Sequence, residues 1–89
     1  MKPIRLSSHA RQQLLFRGGF AWEVEEAIRA SPWEPAELGR LECRRTFPFQ
    51  QEWNGVVYET KQIRPIFVDE PEEIVVVTVY VYYLVEERR

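Results

Sequence analysis

The sequence predicts an α+β fold, with two N-terminal helices packed on one face of a three- to four-stranded antiparallel sheet. Helix signals are confined to the first third of the chain, and strand-type alternation fills most of the rest. The length of 89 residues suits a single domain over residues 1–89. The apolar content of 45% is typical of a folded globule rather than of a disordered segment.

The first helix is predicted over residues 9–16, after a short strand over residues 3–6. Ser7 and Ser8 are suitable N-cap residues, because a serine hydroxyl can accept a hydrogen bond from a free backbone N–H of the first turn. Gly18 follows the helix, and glycine readily adopts the left-handed conformation that ends helices. Both helix ends are therefore marked in the sequence.

The second helix is predicted over residues 21–30. Its apolar residues follow the spacing i, i+4, i+7, i+8, which makes one buried stripe. The members of this stripe are Phe20, Val24, Ala27 and Ile28. Pro32 ends the helix, because proline disfavours the helical conformation of the residue before it.

The middle of the chain predicts strands. Residues 40–47 alternate as a half-buried strand, with Leu41, Cys43, Arg45 and Phe47 on one face and Arg40, Glu42, Arg44 and Thr46 on the other. The sequence Phe47-Pro48-Phe49 is expected to break it. Asn54-Gly55 is a tight-turn signal. Residues 56–61 and 62–68 are strand-like and can form one long strand. We expect this strand to have a bulge or to lie at a sheet edge, because Pro65 has no N–H to donate to a neighbouring strand.

The last strand is predicted over residues 74–85, after a turn over residues 69–73. Its odd positions from 75 to 81 are all aliphatic, and its even positions include three residues with hydroxyl groups. Because strand residues alternate between faces, the valine face is expected to pack under the helices. That face comprises Val75, Val77, Val79 and Val81, and the opposite face carries Thr78, Tyr80 and Tyr82.

The single cysteine, Cys43, cannot form an internal disulfide and has no ligand neighbours at zinc spacing. The N-terminal residues carry no apolar segment of a secretion signal, and the longest apolar run is too short for a membrane helix. We therefore expect a cytoplasmic protein with no cofactor, no metal and no membrane partner. The net charge of −2 argues mildly against a nucleic-acid binder, although a local basic face is compatible with it.

His9 is the only histidine, and the pKa of an ordinary histidine suits proton transfer near neutral pH. The alternative is a surface histidine near the helix cap. Arg64 lies in an apolar run and needs a partner, either a bound phosphate or a carboxylate such as Glu59 or an acid of a helix.

The hydroxyl groups on this face of the last strand are either part of a catalytic site or without a catalytic role, since Thr and Tyr are common in strands. Arg44 and Arg45, with the nearby aromatic residues, are either RNA contacts or part of an exposed strand. Because adjacent strand residues point to opposite faces, at most one of the two arginines faces a given ligand.

Several motifs resemble a bacterial family catalogued as domain of unknown function 4258. The opening motif consists of His9-Ala10, Leu14 and Arg17-Gly18. Residues 23–28 of the second helix and the closing run Thr78-Val79-Tyr80 are also similar to that family. The resemblance covers most of the chain, and the order and spacing of the motifs carry it.

The resemblance implies a RelE-like arrangement, within the ribonuclease folds that also include barnase and colicins. It implies an endoribonuclease toxin of a type II toxin–antitoxin pair, with a cognate antitoxin and RNA, including mRNA on the ribosome, as partners. His9 would be the general acid or base, Arg64 would stabilise the charge at phosphorus, and Thr78 and Tyr80 would orient these groups. The implied RNA-binding residues are Arg17, Arg44 and Lys61.

Two other functions remain open at this level. The first is a non-catalytic interaction module, in which Trp22, Trp33 and Trp53 serve a partner or a homodimer interface. The second is a toxin relative whose RNA site is inactive.

Overall fold

The computed structural model describes residues 2–85, which form an α+β fold with two helices and one mixed sheet of six strands. The helices are α1 (Ser8–Arg17) and α2 (Ala21–Ala30). The strands are β1 (Ile4–Leu6), β2 (Glu34–Pro35), β3 (Leu41–Glu42), β4 (Arg45–Trp53), β5 (Val56–Asp69) and β6 (Ile74–Leu84). A three-residue 3₁₀ turn, Glu37–Gly39, separates β2 from β3.

The strand order is β1-β6-β5-β3-β2, and β4 pairs with β5 as well. Strand β1 runs parallel to β6, whereas the other pairs are antiparallel. The prediction of a purely antiparallel sheet with three or four strands was therefore wrong in strand number and in the direction of β1. Strand β2 has two residues, which is too short for an alternating pattern to reveal it. The strand predicted over residues 40–47 is divided into β3 and the start of β4.

The two helices begin and end where the sequence signals lie. The Ser7 hydroxyl accepts a hydrogen bond from the Ala10 N–H at 3.1 Å, and Gly18 has the left-handed φ of 74° after α1. Helix α2 ends before Pro32, and its N-cap residue Phe20 donates its N–H to the Glu23 carboxylate at 2.9 Å. Phe20 itself is exposed, so it does not belong to the buried stripe in which it was predicted.

Both helices cover the same face of the sheet, as predicted, because their buried residues belong to one core cluster. Helix α1 contributes Ala10 and Leu14, whereas α2 contributes Val24, Ala27 and Ile28. The sheet contributes Cys43, Phe47, Ile63, Phe67, Ile74, Val76 and Val79. Within residues 2–85, neither helix lies on the other face of the sheet, which is called the open face below.

Neither Pro48 nor Pro65 interrupts the strand in which it lies. Pro48 was expected to break the strand, but β4 continues through it, with Pro48 opposite Thr60 and a register shift before Gln51. Strand β4 pairs with β5 alone within residues 2–85, so the missing N–H of an edge proline costs little. Pro65 lies in the long strand β5 and pairs with Val79 of β6 on one side. On its other side it lies opposite the gap between β3 and β4, where no strand needs its missing N–H.

A bulge at Val77 divides β6 into two halves. Ile66 pairs with Thr78 but Phe67 pairs with Val76, so Val77 is an extra residue. After the bulge the odd residues face the helices, as predicted for Val79 and Val81. Before it the even residues Ile74 and Val76 form the core, so the expectation was wrong for Val75 and Val77. The hydroxyl-bearing residues Thr78, Tyr80 and Tyr82 therefore lie on the open face.

Candidate active site on the open face of the sheet

Arg64, Glu42 and Tyr82 form a charged cluster on the open face, with Arg64 at its centre. Arg64 belongs to β5, whose odd residues are buried under the helices, so the even residue 64 projects from the opposite face. Its Nε donates a hydrogen bond to Glu42 Oε2 and its Nη1 donates one to the Tyr82 hydroxyl at 3.3 Å. Two polar partners thus fix the orientation of this guanidinium.

The partner of Arg64 is Glu42 of β3, and not Glu59 or an acid of the helices as considered from the sequence. Glu59 lies an odd number of residues away along β5, so it projects toward the other face. The hydrogen bond and the positive charge of Arg64 lower the pKa of Glu42, and the same bond raises the pKa of Arg64. The cluster therefore holds a carboxylate and a guanidinium that both stay ionised near neutral pH.

Arg17 reaches the same place from the end of α1. Its Nη1 donates to the Val79 carbonyl at 2.7 Å, and its Cζ lies 5.4 Å from the centroid of the Tyr80 ring. The Cζ of Arg64 also lies 5.4 Å from that centroid. Two guanidinium groups, from a helix and from a strand, therefore converge on one tyrosine ring.

Gln13 connects α1 to β6 by a hydrogen bond. Its Oε1 accepts a hydrogen bond from the Val79 N–H at 2.8 Å, one helical turn before Arg17. Beyond Val76, β6 has lost β1 as its neighbour, and Gln13 and Arg17 bind both backbone groups of Val79 in place of a strand. Sequence analysis missed this role of Gln13, because it depends on the position of α1 beside the sheet edge.

His9 lies on the same side of α1 as Gln13 and Arg17, since the three residues are spaced i, i+4 and i+8. Its side chain is exposed, and it makes no hydrogen bond or ion pair within residues 2–85. Arg17, Arg64, Thr78 and Tyr80 thus come together, whereas His9 lies on the adjoining helix side without a direct contact to them.

A cleft of about 550 Å³ opens beside this cluster. Its floor is the open face, and its wall is the segment from β2 to the 3₁₀ turn. It is lined by Pro35, Ala36, Glu37, Leu38, Arg40, Glu42, Arg64, Ile66, Thr78 and Tyr80. Positive, negative, aromatic and apolar groups are therefore all within reach of a molecule bound there.

Lys61 and Arg44 are not part of the cleft. Lys61 projects under the helices, where its side chain is 2% exposed, and its Nζ lies 2.9 Å from Glu23 Oε2 and 3.1 Å from the Gly18 carbonyl. This burial is at odds with the RNA contact expected of Lys61. Arg44 is exposed, and by alternation with the buried Cys43 it belongs to the open face.

Glu42 is the site residue that sequence analysis missed. The alternating pattern of residues 40–47 already put it on the face away from the core. Its pairing with Arg64 depends on the register of β3 against β5, in which Glu42 lies opposite Ile66. A two-residue strand carries no sequence signal for that register.

Residues 2–85 contain no group of three or more His, Cys, Asp or Glu side chains arranged to hold a metal ion. Within the same residues, neither helix is long and apolar enough to cross a membrane.

No protein-family model, no curated protein and no solved structure matches the chain. The resemblance to domain of unknown function 4258 therefore stays a prediction.

Proposed function

We propose that the protein is an endoribonuclease of RelE-like type that cleaves single-stranded RNA, and that it acts as the toxin of a type II toxin–antitoxin pair. The observation that carries this proposal is the convergence of Arg17 and Arg64 on the Tyr80 ring, each at 5.4 Å. Two oriented cations near an open cleft would provide the charge and the N–H donors that bind a phosphate group.

The two arginines keep hydrogen-bond donors for a ligand. A guanidinium has five N–H groups. Arg64 uses its Nε and Nη1 groups, and Arg17 uses Nη1. The remaining N–H groups can donate to phosphate oxygens, while Glu42 and the Val79 carbonyl hold the guanidiniums in place. Preorganised donors of this kind stabilise the negative charge that develops at phosphorus during cleavage.

The proposed reaction is an attack of the ribose 2′-hydroxyl on the adjacent phosphorus. A base removes the 2′-hydroxyl proton, the new O–P bond forms a cyclic phosphate, and the bond to the 5′-oxygen breaks as an acid gives that oxygen a proton. His9 is the proposed acid or base, because it shares one side of α1 with Gln13 and Arg17, which flank the cluster. Tyr80 and Thr78 would orient the RNA backbone through their hydroxyl groups.

RNA cleavage by the purified protein tests this proposal. We expect Arg64→Lys to lower the cleavage rate about 100-fold, because lysine keeps the charge beside Glu42 but lacks the planar fork of donors. We expect His9→Ala to lower the rate by a factor of at least about 100. Arg11→Ala is the matched control, since it removes an exposed positive charge of α1 that lies away from the cluster.

The chelator EDTA should leave the cleavage rate unchanged if His9 and the arginines carry the reaction. In cells, expression should arrest growth, and the double change of His9 and Arg64 to alanine should relieve the arrest while the protein stays folded. A double variant as toxic as the wild type, or wild-type protein that cleaves no RNA with or without ribosomes, would contradict the proposal.

A second candidate function, a protein-interaction module, is favoured by two exposed apolar side chains of α1. Leu15 is 83% exposed and Phe16 is 75% exposed, next to each other on the outer side of the helix. This function predicts a specific partner or a homodimer that is lost in the Phe16→Asp variant, together with no RNA cleavage by the wild type. Size-exclusion chromatography with light scattering measures the dimer directly.

A further inference from the structure

The segment that forms the wall of the cleft contains an unusual residue, Leu38. It has φ 59° and ψ 34°, the left-handed conformation that costs free energy for any residue with a Cβ atom. Its side chain is 85% exposed, so no burial offsets this cost. An exposed leucine in a strained conformation is doubly unfavourable for stability, and such strain is typical of functional sites.

The residues that line the cleft with Leu38 indicate what kind of ligand group it can bind. It lines the cleft together with three other residues that offer apolar surface, Pro35, Ala36 and Ile66. Ile66 lies two residues from Arg64 on the same face of β5, which is a distance of about 7 Å along the strand. An apolar part of the cleft thus adjoins the Arg64 guanidinium, which is proposed to bind phosphate.

We infer that Leu38 and Ile66 form a subsite for a nucleobase of single-stranded RNA, with Leu38 against the face of the base. This inference rests on the proposed function and adds to it the part of the cleft that binds the base. Bases of unpaired RNA are bound by packing against their flat, apolar faces. A nucleotide whose phosphate binds Arg64 has its base within reach of this subsite, because Arg64, Ile66 and Leu38 line the same cleft.

The inference is tested by comparing two labelled RNA probes of equal length, one ordinary single strand and one abasic strand that keeps every phosphate and ribose. Fluorescence anisotropy measures the affinity of each probe. We expect the wild type to bind the ordinary strand more tightly, and Leu38→Ala to weaken that binding about fivefold while leaving the affinity for the abasic strand unchanged.

The strained backbone of Leu38 allows a second measurement, the melting temperature. Leu38→Gly should raise the melting temperature by about 4 °C, because glycine adopts the left-handed conformation without a steric cost, and should still weaken binding of the ordinary strand about fivefold. The matched control is Gln50→Gly. Gln50 is another exposed residue with a left-handed φ, 50°, but it does not line the cleft. It should raise the melting temperature and leave both affinities unchanged.

Three results would overturn the inference, and they differ in what they imply for the proposed function. Equal binding of both strands by the wild type, or unchanged affinity in both Leu38 variants, would refute the base subsite while phosphate binding stands. If the wild type binds neither strand, the base subsite and the proposed ribonuclease are both refuted.

Discussion

The buried pair of Lys61 and Glu23 is expected to be the most costly polar interaction to break. Their side chains are 2% and 4% exposed, and Lys61 Nζ lies 2.9 Å from Glu23 Oε2. The same Nζ lies 5.0 Å and 5.2 Å from the ring centroids of Phe20 and Phe49. One ammonium group therefore links β5, β4 and the start of α2.

Lys61→Met keeps most of the side-chain volume but leaves the Glu23 carboxylate buried without its counter-ion. The Phe20 N–H still donates to that carboxylate, so one of its hydrogen bonds survives. Removing one partner of a buried ion pair costs roughly 3–5 kcal/mol, and we expect about 3 kcal/mol here. An 89-residue domain has roughly 4–13 kcal/mol of unfolding free energy, so the loss is a large share.

Urea unfolding followed by tryptophan fluorescence measures this loss. With a slope of about 1.5 kcal/mol per M, the midpoint should fall by about 2 M in Lys61→Met. The double variant Lys61→Met with Glu23→Gln should lose less than the sum of the two single variants, because it leaves no buried charge while the amide oxygen can still accept from the Phe20 N–H. The matched control Lys2→Met removes a surface ion pair with Asp69 and should cost about 0.5 kcal/mol.

Two results would refute this reasoning about the buried pair. The first is a midpoint in Lys61→Met that is no lower than in Lys2→Met. The second is a double variant whose loss equals the sum of the single losses, because that sum would mean that the two charges do not interact.

Three further predictions concern Cys43, Glu42 and Gln13. Burial and the nearby negative charge of Glu42 raise the pKa of Cys43 to about 11, so the native protein should react with a thiol reagent at least about 100-fold more slowly than the unfolded chain; equal rates would contradict the assigned burial. Because Arg64 lowers the pKa of Glu42, the ion pair stabilises the fold above about pH 4.5 and this contribution is lost as the pH falls through the depressed pKa. The difference in unfolding free energy between wild type and Glu42→Gln should therefore shrink as the pH is lowered below about 4.5, and a constant difference would count against the pair. Gln13→Leu leaves a backbone N–H of β6 without its partner and should cost about 1–2 kcal/mol in urea unfolding, whereas the exposed Gln12→Leu should cost less than about 0.5 kcal/mol; equal costs would argue against the edge contact.

Local signals in the sequence predicted much of the fold. The N-cap at Ser7, the left-handed Gly18 and the turn at Asn54-Gly55 each depend on neighbouring residues alone, and the structure has all of them. The bulge at Val77 was not predictable in the same way. A run of aliphatic residues looks the same in either register, and only the pairing with β5 shows where the alternation reverses.

The candidate site was predicted in part, for the same reason. Alternation along β6 was enough to put Tyr80 and Thr78 together, and the strand position of Arg64 was enough to make it a candidate. The role of Glu42 depends on contacts between distant segments. The burial of Lys61 follows from its odd position in β5, but its pairing with Glu23 depends on where α2 lies.

The contact of Gln13 and Arg17 with Val79 has a consequence for how the protein can be observed. The amide proton of Val79 is held by a side chain of α1, so its exchange with solvent deuterium reports the undocking of that helix and not the opening of the strands. Arg17 binds the carbonyl of the same residue and lies against the ring of Tyr80, which lines the cleft. The exchange rate of the Val79 amide therefore shows whether a ligand bound in the cleft stabilises or weakens the docking of α1 on β6.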